Sequence, residues 1–344
     1  MSTNRRIRLL ALTGFILPVC LFLTSTGCTP RPATETAAQR KPIRVAFNTW
    51  IGYSSFYVAE EKGIFNRLGL KVETKVIDPL AEKNAALLRG DLDAMGGTID
   101  STIVTATSGV QGKVVYMFDR SKGTDGILVS DKVKTVDDLK KIRVAVEEGF
   151  VGHFFLLYYL EKNGISHDAV SIIPMTTDAA GAAFAAGKVE AAVTWEPYLT
   201  TALKRPNSRV LVSSAELEPI LADTLFVSQN ILQQRSNDIA SLVQALQEAN
   251  DYWLANPKEI NALVARRWKM SEDEVAGIMK TDQLYTVADQ RAQFGQKDTD
   301  GDLYKYLSKA AELWLEAGVV KQKVDPARLL DGFAVRKLKG YSAK

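Results

Sequence analysis

The sequence predicts a two-lobed α/β protein with mainly parallel, helix-flanked sheets and a helical C-terminal tail. Three observations carry that prediction. The first is a duplication: one Ala-rich helical run stops at Gly90 and another at Gly187, each just before a short apolar strand. Each strand opens with a hydrophobic residue, an acid and an alanine (Leu92, Asp93, Ala94; Val189, Glu190, Ala191), and each copy ends in a carboxylate, Asp100 or Glu196. Glycine at such a point takes the left-handed conformation that closes a helix. The second is the alternation of β-branched runs with helical ones as far as Ser228, which argues for sheets covered on both faces. The third is the loss of strand signals beyond that residue. Two equivalent corners imply two similar lobes. Because ligands collect beyond the carboxyl ends of strands in open α/β sheets, both corners are expected to face one crevice.

The 344 residues suggest about two domains, and residues 1–28 stand apart from them. Arg5, Arg6 and Arg8 precede an apolar run at 9–23, and Ser25, Thr26, Gly27 and Cys28 follow, the pattern of an export signal. That run is too short and wrongly flanked for a permanent membrane span. Residues 29–41 are polar, bear Pro and Ala, and lack hydrophobic period, as a flexible tether would.

The alternating run at 43–47 is a first strand. It leads into a loop with Trp50, Gly52 and Tyr53, and residues 56–63 are a helix stopped by Gly63. Residues 70–77 alternate as a strand, 82–89 are helical, and the first corner follows. A strand at 114–118 ends in the polar loop 119–125, and 126–130 is another. The pattern then restarts. Thr135 caps a helix entry with Asp137 and Asp138 in its positive first turn. Residues 143–146 are a strand, Glu147, Glu148 and Gly149 a turn, and 152–163 an apolar helix closed by Gly164. A strand at 170–175 and a helix at 179–186 lead to the second corner, and 209–213 and 222–228 are the last strands. Apolar spacing makes 238–254, 257–268, 271–280 and 303–317 helical, with no strand expected among them.

Composition narrows the function. The chain carries 43 Lys and Arg against 40 Asp and Glu; the leader holds three Arg and no acid, so the remainder is formally neutral. No global field attracts nucleic acid. Both cysteines, Cys20 and Cys28, lie in the leader region, and the two histidines are His153 and His167, which leaves no zinc site of the usual His/Cys spacing.

The leader ending in Gly27 and Cys28, the run Trp50 to Tyr53 followed by Phe56 to Phe65, the corner Gly90 to Ala94 and the run Thr194, Trp195, Glu196, Pro197 together resemble the substrate-binding proteins of ABC importers. The resemblance is to the nitrate, sulfonate, taurine and thiamine-precursor group, over roughly residues 43–330. It implies a type II periplasmic-binding-protein fold, with a discontinuous first lobe (42–130 and 223–335) and a second lobe (131–222). Residues 126–130 and 222–228 would be the crossover strands. It further implies a monomeric, extracytoplasmic receptor without catalysis or cofactor. Such a receptor would trap a small solute between its lobes, deliver it to ABC permease subunits, and be anchored to the membrane by lipid on Cys28. Ordinary cleavage with Cys28 as a bystander is the alternative at that residue. The rival functions are a pyrimidine-synthase-like enzyme on the same fold, whose chemistry leans on His and Cys, and a lipoprotein adaptor that signals by closing.

A solute receptor needs a partly apolar hollow with a few orienting polar groups supplied by both lobes. Trp50 and Tyr53, just after the first strand, are candidates for its floor, or pack between loop and lobe. Trp195 and Glu196 lie at a strand's carboxyl end; Glu196 contacts solute or forms a structural salt bridge, since an unpaired buried acid is costly. Asp119, Ser121 and Asp125 flank another strand end, and Asp100, Ser101, Glu147, Glu148 and Asp223 complete the set. Acids outnumber bases on this rim, which suggests an amine, amidine or guanidinium solute held by carboxylates and aromatic faces. That departs from the oxyanion binders of the group. The run Asp298 to Asp302 looks like a calcium loop but has Leu303 and Lys309 where glycine and glutamate are needed. His153, beside Phe154 and Phe155, reads as a core or surface residue.

Overall fold

The strands, in chain order, are β1 (Ile43–Phe47), β2 (Val72–Val76), β3 (Ala94–Thr98), β4 (Gly112–Ser121), β5 (Asp125–Ser130), β6 (Arg143–Val146), β7 (Ser171–Pro174), β8 (Ala191–Trp195), β9 (Ser208–Ser213), β10 (Ala222–Ser228) and β11 (Asp282–Leu284). They form two sheets, ordered β11-β4-β10-β3-β1-β2 and β7-β6-β8-β5-β9. The computed structural model describes residues 41–217 and 220–340. The leader, Cys28 and all of the tether except Lys41 lie outside the described residues.

The helices are α1 (Ser55–Glu61), α2 (Ile64–Arg67), α3 (Leu80–Arg89), α4 (Ile99–Thr107), α5 (Val151–Lys162), α6 (Thr177–Ala185), α7 (Tyr198–Ala202), α8 (Gln229–Gln234), α9 (Ser236–Ala255), α10 (Pro257–Trp268), α11 (Glu272–Ile278), α12 (Val287–Phe294) and α13 (Asp302–Glu316).

The duplication in the sequence is a duplication in space. In the first sheet β1 pairs in parallel with β2 and β3; in the second β6 pairs in parallel with β7 and β8. Each corner sets the same register: Ala94 lies opposite Val45, and Ala191 opposite Val144. Gly90 and Gly187 have φ of 74° and 70°, the helix-closing conformation. The acid of each corner is neutralised at once. Asp93 binds Arg44 at 2.7 Å, and Glu190 binds Lys132 at 2.6 Å and Arg205 at 3.2 Å.

Both sheets are mixed, which departs from the mainly parallel expectation. The departure has a single main source. β5 runs antiparallel to β8 and β9, and β10 antiparallel to β3 and β4, because each is the strand by which the chain enters one sheet from the other. β5 (Asp125–Ser130) is hydrogen-bonded into the second sheet, so the first passage between the sheets precedes it, in the turn between β4 and β5. The two passages are laced together: Gly123 N donates to Ser214 Oγ at 2.8 Å, and Ser121 N to the Leu221 carbonyl at 3.0 Å.

The tail is helical with one exception, β11, which extends the first sheet antiparallel to β4. Helix α9 buries Ile239, Leu242, Val243, Leu246, Ala249 and Trp253, an i, i+3, i+4, i+7 stripe. On the same face Asn250 donates to the Phe118 carbonyl at 3.0 Å, supplying a partner for the strand that carries Asp119. Helix α13 buries Trp314 against Phe154 of α5, with ring centroids 5.6 Å apart, and its indole donates to the Asp100 carbonyl at 3.0 Å. The Asp298 carboxylate accepts from Gly332 N and Arg336, so that polar turn serves as a tie to the C-terminal segment.

Candidate functional site

A cleft of about 30 Å³ opens between the sheets where the strand ends converge. The first-sheet side supplies Asn48 and Trp50 after β1, Thr98 at the end of β3, Ser121 ending β4, and Leu221, Ala222 and Asp223 at the start of β10. The second-sheet side supplies Thr124, Asp125, Val151 and Trp195. Its position beyond the carboxyl ends of β1, β3, β4 and β8 is the one that open α/β sheets favour.

Trp50 and Trp195 bring aromatic faces from opposite sides. Trp50 is fixed by its indole N–H, which donates to Asp119 Oδ2 at 3.2 Å. Trp195 packs edge-on against Phe150, centroids 5.8 Å apart, and its buried N–H meets no acceptor among the described residues. Tyr53 does not line the cleft but stands behind it, stacked on Phe47 at 5.2 Å and edge-on to Phe118 at 5.0 Å. Its hydroxyl donates to Asp223. The ring fits because residue 96 is glycine: a β-carbon there would lie 2.6 Å from Tyr53.

Behind these walls sit the acids. Asp100, Asp119, Asp125 and Asp282 are buried and Asp223 is partly so, and Lys83 is the one buried lysine or arginine among the described residues. Among the described residues no donor meets either oxygen of Asp100 or Asp282, or Oδ1 of Asp119, at hydrogen-bonding geometry. Burial dominates their acidity. It raises Asp125 to about 7 despite the hydroxyls of Ser121 and Thr124, and Asp100 to about 7 against the nearby Thr98 hydroxyl and its own amide. Asp223 rises to about 6, held back by Tyr53 and Asp119. Asp119 and Asp282 are pushed well above the carboxylate range, by burial first and then by neighbouring carboxylates. Lys83 donates to the Gly96 carbonyl at 3.2 Å and Asn48 Oδ1 at 3.3 Å, and burial lowers it to about 8. Its ammonium also lies 5.5 Å from the centre of the Phe150 ring, so it bridges the two sides.

Several expected site residues have other work. Ser101 is an internal cap of α4: it accepts from Thr98 N at 2.8 Å and donates to the Thr98 carbonyl at 2.9 Å. Glu147 caps α6, accepting from Thr177 N at 3.1 Å and Oγ1 at 2.9 Å. Glu196 turns to α7 and accepts from Thr200 N at 3.2 Å and Oγ1 at 2.7 Å. Glu148 is exposed and lines a separate, open hollow of about 330 Å³ with His153 and His167. That hollow is the larger, but the converging acids and indoles belong to the smaller one. His153 is buried there, accepts from Gly149 N at 3.2 Å, and is lowered to about 4 by burial.

Asn48, Thr98, Thr124 and Val151 in the lining, and Lys83 and Asp282 behind it, escaped the sequence reading. Position after strand ends was a usable signal for Asn48 and Thr98. Nothing local marks Lys83 or Asp282, which face inward only because of how α3 and β11 dock.

Fold and cleft together define the class, a two-lobed protein of the periplasmic-binding-protein fold. The solved periplasmic aliphatic sulphonate binding protein of Escherichia coli superposes with a TM-score of 0.71 at 20% identity, covering 87% of this chain and 100% of that one. A Candida albicans protein with the generic periplasmic binding protein fold superposes with a TM-score of 0.69 at 14% identity, covering 85% and 97%. The NMT1-like family model matches residues 36–268, and the chain belongs to that family. Among curated relatives, a binding protein of Brucella abortus (strain 2308) is 26% identical over 295 residues, 84% of this chain and 90% of that protein. The taurine-binding periplasmic protein of Escherichia coli (strain K12) is 24% identical over 294 residues, 82% and 89%.

Proposed function

We propose that this protein is the extracytoplasmic receptor of an ABC importer, that it closes on a small polar organic cation, and that it passes this solute to the permease without chemistry of its own. Its periplasmic and solute-binding relatives support the receptor class. The observation that carries the ligand reading is the cleft: two indoles from opposite sides, Asp125 and Asp223 in the lining, and Asp100, Asp119 and Asp282 behind them. Aromatic faces and carboxylates are complementary to ammonium, amidinium or guanidinium groups. Trp50, Trp195, Asp125 and Asp223 are the contacts proposed for it. The two passages beside Gly123 and Ser214 are the proposed hinge, with lobes on either side, and lipid on Cys28 the proposed anchor.

The names of the relatives favour a second reading, a sulfonate or taurine. An anion in this cleft would meet Asp125 and Asp223, while Lys83 is already engaged by Gly96 and Asn48. A thermal-shift screen of the protein without its leader separates the readings. A solute at a hundred times its Kd adds about 2.7 kcal/mol to stability. Alkylamines or guanidines are expected to raise Tm, and Trp195→Ala to abolish the rise. A rise with sulfonates alone would overturn the cation reading and leave the receptor intact.

A further inference from the structure

We propose that the cleft exchanges a proton for its solute: entry of a monocation expels about one proton from the aspartate cluster into water. This rests on the reading of the solute as a cation and specifies how the site accepts one.

Five elements bring one aspartate each to the same place: α4 (Asp100), β4 (Asp119), β5 (Asp125), β10 (Asp223) and β11 (Asp282). Around them stand Lys83 of α3, bound to Gly96 and Asn48, and two donors, Trp50 to Asp119 and Tyr53 to Asp223. Glu147 and Glu196 approach from the second-sheet side, each tied to a threonine of its neighbouring helix. Among the described residues, one ammonium, two aromatic donors and the Thr124 hydroxyl, which meets Asp125 at 3.3 Å, do not compensate five carboxylates, four of them buried. An ionised carboxylate that is buried without donors is far costlier than its neutral acid, and like charges in one site do not all ionise. The cluster therefore holds protons. Asp119 and Asp282, out of the lining, keep theirs whether or not the cleft is filled; the exchangeable proton belongs to the lining acids Asp125 and Asp223.

When a cation enters, the lining carboxyl that carries this proton ionises. The O–H bond breaks, its electron pair stays on the carboxylate, the proton passes to water, and the solute's positive charge replaces it. The charge inside the cleft is the same before and after. By linkage, solute lowers the cluster's proton affinity and acid lowers the affinity for solute to the same extent. Asp125 near 7 and Asp223 near 6 put this exchange in the neutral range.

Isothermal titration calorimetry tests the exchange with methylguanidinium, ethylammonium and propylammonium as probes and ethanesulfonate as the anionic comparison. Titrations at about pH 6.5 in phosphate and in imidazole, buffers of unlike ionisation heat, count protons. The expected result is release of about half to one proton per cation bound, with Kd weakening about tenfold per pH unit toward acid once the lining acids are protonated. Equal heats in both buffers and a pH-independent Kd overturn the exchange while the cation reading stands. Binding of ethanesulfonate instead, or failure of all three cations to bind, overturns both. In Asp125→Asn, residual binding is expected to release fewer protons; unchanged release would overturn the assignment to the lining acids.

Discussion

Gly52 shows how closely the cleft wall is set. A β-carbon there would lie 1.8 Å from Asp119 Oδ2 and 2.4 Å from Trp50 Nε1, on top of the hydrogen bond that aims the indole. Gly52→Ala is expected to cost about 1–3 kcal/mol and to weaken solute binding at least tenfold. Urea unfolding and calorimetry check this, and a variant with native stability and affinity would show that the wall yields. At this scale the sequence was informative about residue type and poor about direction. Trp50, Ser121, Asp125, Trp195 and Asp223 line the cleft, because residues after strand ends have few other places to go. Glu196 does not, because Thr200, four residues on, offers a nearer partner, and four residues is one helical turn.

Among the elements, α2, α4, α7, α8, α12 and β11 were not read, and α4 and β11 show why. Residues 99–107 are rich in Ile, Thr and Val, poor helix formers by themselves. The helix forms because Thr98 and Ser101 cap it reciprocally and because it packs on α13. β11 is three residues long and exists only as an edge on β4. The contact between α13 and α5 joins the elements of the two sheets and admits a sharper test. Trp314, fully buried between Phe154, His153 and Asp100, should cost about 3–5 kcal/mol when replaced by alanine. Lys309, which bridges to Glu161 at 2.5 Å in a partly exposed position, should cost about 1 kcal/mol or less as Lys309→Met. Urea midpoints for both variants decide whether apolar packing or the ion pair holds that contact.

For the whole molecule the acid cluster has a consequence for stability. Carboxyls raised above their unfolded range favour the folded state below about pH 4, where both states are protonated, and lose that contribution as pH rises through the folded values of about 6 and 7. His153, lowered to about 4, opposes this as pH falls below its unfolded value near 6.5. One imidazole is outweighed by several acids, since each tenfold change in a group's proton affinity is worth about 1.4 kcal/mol. Without solute, Tm is expected to be higher at pH 5 than at pH 7.5, with a shallower slope in Asp125→Asn. Scanning calorimetry across that range checks it, and a Tm that falls on acidification would mean the cluster is ionised throughout. The sequence by itself determined the two lobes, the duplicated corner, the helical tail and the acid-rich rim, because these follow from periodicity, helix-closing glycines and composition, which are local. Only the tertiary structure decided that β5 and β10 run against their neighbours, that Glu147 and Glu196 cap helices, and that Asp282 and Lys83 join the site. Those outcomes depend on which surfaces meet, and burial, which sets the charge of each acid, has no value until they do.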